Sequence, residues 1–155
     1  MNYFKSLLFL LLAPGILGGV LPLTILQSGP RLQTGPFSYL AFPVWIIGVL
    51  TLLWCFWDFA HKGRGTPMPI DPPKKLVVSG LYQYVRNPMY VGVFLVIIGH
   101  FLWFGYWDLL VYAFLFLIPV HLFVTLYEEP HLKETFGEEY RQYMQRVPRW
   151  IPRLR

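Results

Sequence analysis

The chain has 155 residues, the length of one ordinary domain, and is 55% hydrophobic, 19% aromatic and only 14% charged. Soluble domains carry about 25% charged residues, so the deficit points to a surface largely solvated by lipid. One cysteine, Cys55, excludes an internal disulfide and any multi-cysteine metal site, and the net charge of +5 leaves nucleic acid or a membrane surface open until its distribution is known.

The first apolar stretch, LLFLLLAPGILGGVLPLTILQ, covers 7–27. A weak positive start at Lys5 and a poor cleavage site at Ala13-Pro14-Gly15 favour a retained span over a secretory signal. The second, SYLAFPVWIIGVLTLLWCFWDFA, covers 38–60 and contains Cys55, which reads as a buried inert thiol. A loop over 61–88 follows. It opens with the Pro- and Gly-rich HKGRGTPMPIDPPKKLVVS, which is expected to be ordered by its prolines and docked rather than helical. The third and fourth stretches cover 89–107 and 109–127, and only a few residues separate them, so a tight antiparallel hairpin is expected. Each stretch has the length of about 20 residues that crosses a bilayer as a helix. Membrane helices tolerate Pro14, Pro22, Pro43 and Pro119 better than soluble ones do.

In the tail, Leu132, Phe136, Tyr140, Tyr143, Met144 and Val147 recur in steps of three and four. They predict an amphipathic helix over 131–147, stopped by Pro148, that lies on the headgroups or packs over the 61–88 loop. The expected architecture is therefore all-α integral membrane: one membrane domain over 1–155, four transmembrane helices, a cytoplasmic Pro-rich loop and a C-terminal amphipathic helix.

With four spans, twelve of the thirteen basic residues fall on one face and only Arg31 on the other. The positive-inside rule then places both termini and the 61–88 loop in the cytoplasm, as in a bacterial inner membrane or its equivalent. Topology and contact with membrane lipids account for the charge without nucleic acid. No obligatory protein partner is evident.

Two polar clusters flank the expected hairpin on its cytoplasmic side. One, in GLYQYVRNPMYVG, holds Tyr82, Tyr84, Arg86, Asn87 and Tyr90; the other is Glu128-Glu129. Acidic groups can accept hydrogen bonds from an ammonium or from ribose hydroxyls, arginine can fork a carboxylate, and tyrosine rings can stack on a purine. Gly80 and Gly92 permit close backbone approach. S-adenosylmethionine offers the matching groups, and no phosphate-binding Gly-rich loop argues for another nucleotide. The same residues also read as interfacial anchors, as the start of the third helix at Asn87-Pro88, and as a plain helix start at Glu128-Glu129-Pro130.

The two motifs, GLYQYVRNPMYVG and EEPHLKETFGEEYRQYMQRVPRWIP, resemble the isoprenylcysteine carboxyl methyltransferase and phospholipid N-methyltransferase superfamily. Gly80, Tyr82, Arg86, Pro88, Tyr90 and Gly92 match the first part of its pattern, and Glu128, Glu129, Leu132, Phe136, Gly137, Tyr140 and Tyr143 the second. The resemblance implies an integral-membrane methyltransferase that uses S-adenosylmethionine, leaves S-adenosylhomocysteine as product, and acts on a lipid-like or hydrophobic acceptor. It implies cofactor contacts from Lys74, Lys75, Leu76, Val77, Tyr82, Asn87, Pro88, Met89, Tyr90 and Glu128; the chemistry of the residues adds Arg86 and Glu129 to that set and makes them the candidate catalytic pair, with no metal expected. Asn87 departs from the usual histidine. Val124 stands where the prenylcysteine enzymes carry an arginine thought to meet the substrate carboxylate.

Displacement at a sulfonium needs chiefly a positioned nucleophile, and His61 is the nearest histidine should a base be required. The rival classes are a haem-binding bundle through His100 and His121, and a non-catalytic membrane protein. From the cytoplasmic ends these histidines fall about 16 and 9 Å deep, a poor match for one haem.

Overall fold

The computed structural model describes residues 12–25, 30–59, 61 and 75–152. Lys74 and the loop residues 62–74 lie outside them, as do the outer ends of the first expected span. The described residues are helical apart from loops and one isolated bridge between Arg31 and Tyr106.

Helix α1, Leu12–Thr24, contains a π stretch at Ile16–Val20 in which the Leu21 N–H bonds the Ile16 carbonyl. Pro22 follows at once, and widening the preceding turn relieves the clash between its ring and the carbonyl four residues back. A 3-10 segment, Gly35–Leu40, leads into α2, Ala41–Asp58. After the loop comes a 3-10 turn, Gly80–Gln83, then α3, Pro88–Phe104. Pro88 sits at the first helical positions, where an N–H would be unsatisfied anyway. Gly105 ends α3 with φ 74, a left-handed conformation in which any Cβ would also collide with the Leu32 carbonyl.

Helix α4, Trp107–Phe123, begins two residues later, so the α3–α4 hairpin is tight, as its spacing predicts. Residues 30–32 close its turn. Leu32 N–H donates to Gly105 O at 2.7 Å, Trp107 N–H donates to Pro30 O at 3.2 Å, and Arg31 Nε donates to Phe104 O at 2.9 Å.

At the other end the expectation of a fresh helix start at Glu128-Glu129-Pro130 is corrected. The chain passes from α4 through a π stretch, Val124–Glu128, straight into α5, Glu129–Arg146. Glu129 N–H bonds the Val124 carbonyl, so the helix continues by widening ahead of Pro130. The tail helix thus starts two residues earlier than its pattern predicts. It also breaks its regular geometry at Gly137, with φ 55 and ψ −124.

The α2–α3 contact is the most extensive between helices. Gly48 faces Gly92: a Cβ on Gly48 would lie 3.0 Å from Gly92 O, and one on Gly92 would lie 3.1 Å from Gly48 O. Gly92 therefore serves close approach between two helices. Between α3 and α4 the core is Val93, Ile97, Ala113 and Phe116. The tail packs Tyr140, Tyr143 and Val147 with Leu76, which favours the second of its two expected positions, over the loop.

The helical stretches Gly35–Asp58 and Trp107–Arg146 are long and apolar enough to cross a membrane, while Leu12–Thr24 and Pro88–Phe104 are apolar but shorter. Their outward faces carry exposed Ile46, Leu50, Trp54, Phe114, Leu115 and Ile118. Apolar helices that turn most of their side chains outward point to a membrane protein.

Candidate active site

A cavity of about 90 Å³ lies where α1, α3 and the end of α4 meet. Its polar wall is Arg86, Asn87, Tyr90 and Glu128. Tyr82, Phe59 and Phe116 supply rings, and Ala13, Pro14, Leu17, Met89 and Val93 make the apolar side. The hairpin does this by topology: Tyr90 is in the first turn of α3, Glu128 is in the π stretch after α4, and Tyr90 Oη donates to Glu128 Oε2 at 3.0 Å.

The two adjacent glutamates have different partners. Glu129 is buried, and its Oε1 and Oε2 accept from Arg149 Nε and Nη2, both at 2.8 Å, a bidentate fork. Arg86 Nη1 stands 3.0 Å from the same Oε1. That approach has ion-pair length but poor direction, and Arg86 Nε and Nη1, both buried, lack a well-directed hydrogen bond. One carboxylate thus serves two guanidiniums. Burial works against the charge of Glu129, but the Arg149 hydrogen bonds and the Arg86 charge outweigh it and hold the carboxyl below its usual range.

Glu128, just past the apolar stretch, is opposite in character. Burial pushes its carboxyl up, the Tyr90 hydrogen bond opposes this, and the Glu129 charge adds to it. Among the described residues no lysine or arginine is paired with Glu128. A half-buried carboxylate with no cation paired to it among the described residues is an acceptor suited to a ligand cation or hydroxyl.

A strap behind α5 completes the wall. Arg86 N–H donates to Pro148 O at 2.9 Å, Asn87 Nδ2 donates to Arg149 O at 3.3 Å, and Trp150 Nε1 donates to His121 Nδ1 at 3.1 Å. Tyr143 Oη donates to Tyr82 O at 2.7 Å, fixing the tail against the 3-10 turn. Burial keeps the phenol of Tyr82 well above its ordinary range and pushes that of Tyr140 up to about 12, so both stay neutral.

Of the residues expected at a cofactor site, Tyr82, Arg86, Asn87, Met89, Tyr90 and Glu128 line this one cavity. Pro88 is buried at the head of α3, and Glu129 sits behind Arg86. Lys75 is exposed, Leu76 packs under the tail, and Val77 is buried with Cys55, Tyr82 and Met89. Tyr84 is exposed. Gly80, with φ 63, packs its backbone against Asp58 and Trp54. His61 stacks on Trp57 with ring centroids 3.8 Å apart. His100 and His121 are each tied to a different tryptophan, Trp45 and Trp150. No group of three metal-ligating side chains occurs among the described residues.

Sequence reasoning counted Arg149 only as a topology charge. Its signal was present: a basic residue held between Pro148 and Pro152 just after the helix stop.

Residues 36–139, more than half of the chain, match the phospholipid methyltransferase family. A fission-yeast (Schizosaccharomyces pombe) protein-S-isoprenylcysteine O-methyltransferase is 38% identical over 80 residues, covering 50% of this chain and 33% of that protein. Protein-S-isoprenylcysteine O-methyltransferase B of Arabidopsis thaliana is 36% identical over 84 residues, covering 50% and 40%. A methanethiol S-methyltransferase of Crocosphaera subtropica is 36% identical over 87 residues, covering 52% and 30%. The aligned part is thus well under half the length of each of these relatives. With residues of both motifs meeting at one cavity and the match extending over most of α2 to α5, the chain belongs to the phospholipid methyltransferase family.

Proposed function

We propose that the protein is an S-adenosylmethionine-dependent methyltransferase. In this reading α1 to α4 cross the bilayer, both termini face the cytoplasm, and a lipid-like or hydrophobic acceptor meets the donor at the cytoplasmic boundary. The observation that carries the proposal is the pairing of unlike polar groups on one small cavity: a guanidinium at Arg86 with buried Nε and Nη1 that lack a well-directed acceptor, and a half-buried carboxyl at Glu128 with no cation paired to it among the described residues.

This donor set fits the methionine end of S-adenosylmethionine, whose carboxylate suits Arg86 and whose ammonium suits Glu128. Tyr82 and Phe59 add flat apolar surface, and Tyr90 fixes the direction of Glu128. Asn87 and Pro88 set the start of α3, Met89 fills the wall, and Leu76 and Val77 hold the loop behind it. Glu129 is a positioning residue for Arg86 here and does not itself line the cavity. When bound, the donor supplies a methyl group already activated on a sulfonium.

The residues then have two tasks. Arg86 and Glu128 orient the donor by its charged ends, and Leu17, Val93 and Phe116 keep water from the reacting side. That apolar wall, contributed partly by α1, favours an acceptor that arrives through lipid. Val124 is fully buried at the start of the π stretch and offers no charge to an acceptor carboxylate. This argues against a prenylcysteine carboxyl group as the acceptor.

The test is transfer of labelled methyl from S-adenosylmethionine to a total membrane lipid extract. The native chain should label a lipid fraction, and Glu128→Ala should lower the rate by roughly 100-fold, the size typical of a charge-stabilising group. Transfer to water-soluble acceptors alone, with none to any lipid or lipidated thiol, would refute the acceptor class.

A further inference from the structure

The strap, Val147 to Trp150, touches Arg86, Asn87, Tyr90 and Glu129 without lining the cavity. Pro148 O and Arg149 O take hydrogen bonds from Arg86 N–H and Asn87 Nδ2, and the Arg149 side chain takes both oxygens of Glu129. We infer that Arg149 is a positioning residue of the donor site, which holds Glu129 in a bidentate fork so that Arg86 keeps its charge and donors for the carboxylate of the ligand. The inference rests on the donor site proposed above and assigns it a controlling residue.

The physical case is one of shared charge. Arg86, Glu129 and Arg149 together carry one net positive charge, and Arg149 holds the better geometry: two bonds of 2.8 Å against a single misdirected approach of 3.0 Å from Arg86. With Arg149 absent, Glu129 keeps only the charge of Lys133 besides Arg86 among the described residues, with no second guanidinium on its oxygens, and Arg86 can turn its fork onto it. The two charges then cancel, and the donors Nε and Nη1, unspent in this structure, are consumed within the protein. Arg86 is buried and Arg149 is partly exposed, so the lost cation is the outer one and the silenced one is the inner. Asn87 strengthens the device, since its bond to Arg149 O fixes the backbone from which the fork reaches.

A merely structural role for Arg149 predicts something different, and two ligands separate the two roles. S-adenosylhomocysteine carries the carboxylate, and its decarboxylated analogue, S-adenosyl-3-thiopropylamine, lacks it. Equilibrium binding of both is measured on the full chain in detergent micelles, for the native protein, Arg149→Gln and Arg149→Lys. Arg149→Gln should weaken S-adenosylhomocysteine about tenfold or more, the scale of one hydrogen bond between charged groups, and leave the analogue within about twofold of native. Arg149→Lys, which keeps the charge but not the fork, should fall between. The analogue doubles as the check that the variant is folded. Equal loss for both ligands, or no loss for either, overturns the inference. A native chain that binds neither ligand overturns the donor site itself, and the inference with it.

Discussion

The three-residue ion cluster makes a sharp thermodynamic prediction through Glu129→Gln. The substitution keeps shape and one acceptor oxygen but removes the anion held by two guanidiniums. Breaking a buried ion pair by removing one partner costs about 3–5 kcal/mol, because the remaining charge stays out of water. The Arg86 side chain is 9% exposed and that of Arg149 29%, so solvent recovers part of the second loss, and about 2–4 kcal/mol is expected. An internal control lies on the same helix, just before Tyr140. Glu138 meets Arg141 at 3.6 Å with both side chains about two-thirds exposed, and Glu138→Gln should stay within about 0.5 kcal/mol.

The assay is denaturant unfolding in mixed micelles, followed by tryptophan fluorescence. The pH dependence has a fixed sign. The Glu129 carboxyl is held below its ordinary value of 4.5, so its stabilisation is fully present above that value and is lost as pH falls through the lowered one. The gap between native and Glu129→Gln should therefore be flat from about pH 6 to 8 and shrink in acid. A gap of less than about 1 kcal/mol at neutral pH, or one no larger than that of Glu138→Gln, would refute the shared-anion account.

Two further perturbations probe the cavity wall and the helix contact. Tyr90→Phe removes the hydroxyl that favours the ionised form of Glu128, so the acid limb of the methyl-transfer pH profile should move to higher pH, with roughly a tenfold lower rate at neutral pH; an unchanged acid limb would separate Glu128 from the reaction. Gly92→Ala places a methyl 3.1 Å from both Gly48 O and Leu52 Cγ and should destabilise by about 1–3 kcal/mol in the same unfolding assay, whereas Gly19→Ala meets nothing within 4 Å and should be neutral or mildly stabilising.

The helices were legible because their signals are local. Apolar runs bounded by Gly105 and Pro88 mark α3 and the hairpin turn to within a few residues of their observed ends. The tail face from Leu132 to Val147 also appears as a packed cluster, since a 3.6-residue period survives the irregularity at Gly137. What sequence misplaced was non-local or depended on helix continuity. Glu128-Glu129-Pro130 has the composition of a helix start, yet α4 had not ended. A π stretch let the helix pass the proline, and nothing in the residue types distinguishes the two outcomes. Gly92 looked like a site glycine because it closes the motif, but the partner that needs its missing side chain is Gly48, 44 positions earlier in another helix.

The two neighbouring glutamates, both expected to contact the cofactor, have different partners in the structure. Successive residues of an α-helix point about 100° apart, so Glu128 and Glu129 cannot both face one small cavity. Glu128 accordingly meets Tyr90 and the cavity, and Glu129 meets Arg86 and the strap. Each environment then biases its charge: two guanidiniums favour the ionised form of Glu129, while burial and the neighbouring charge push the Glu128 carboxyl up against the Tyr90 hydrogen bond. A family motif records that both positions are acidic. The structure adds that one carboxylate is held by two guanidiniums, while the other faces the cavity with the Tyr90 hydroxyl as its donor.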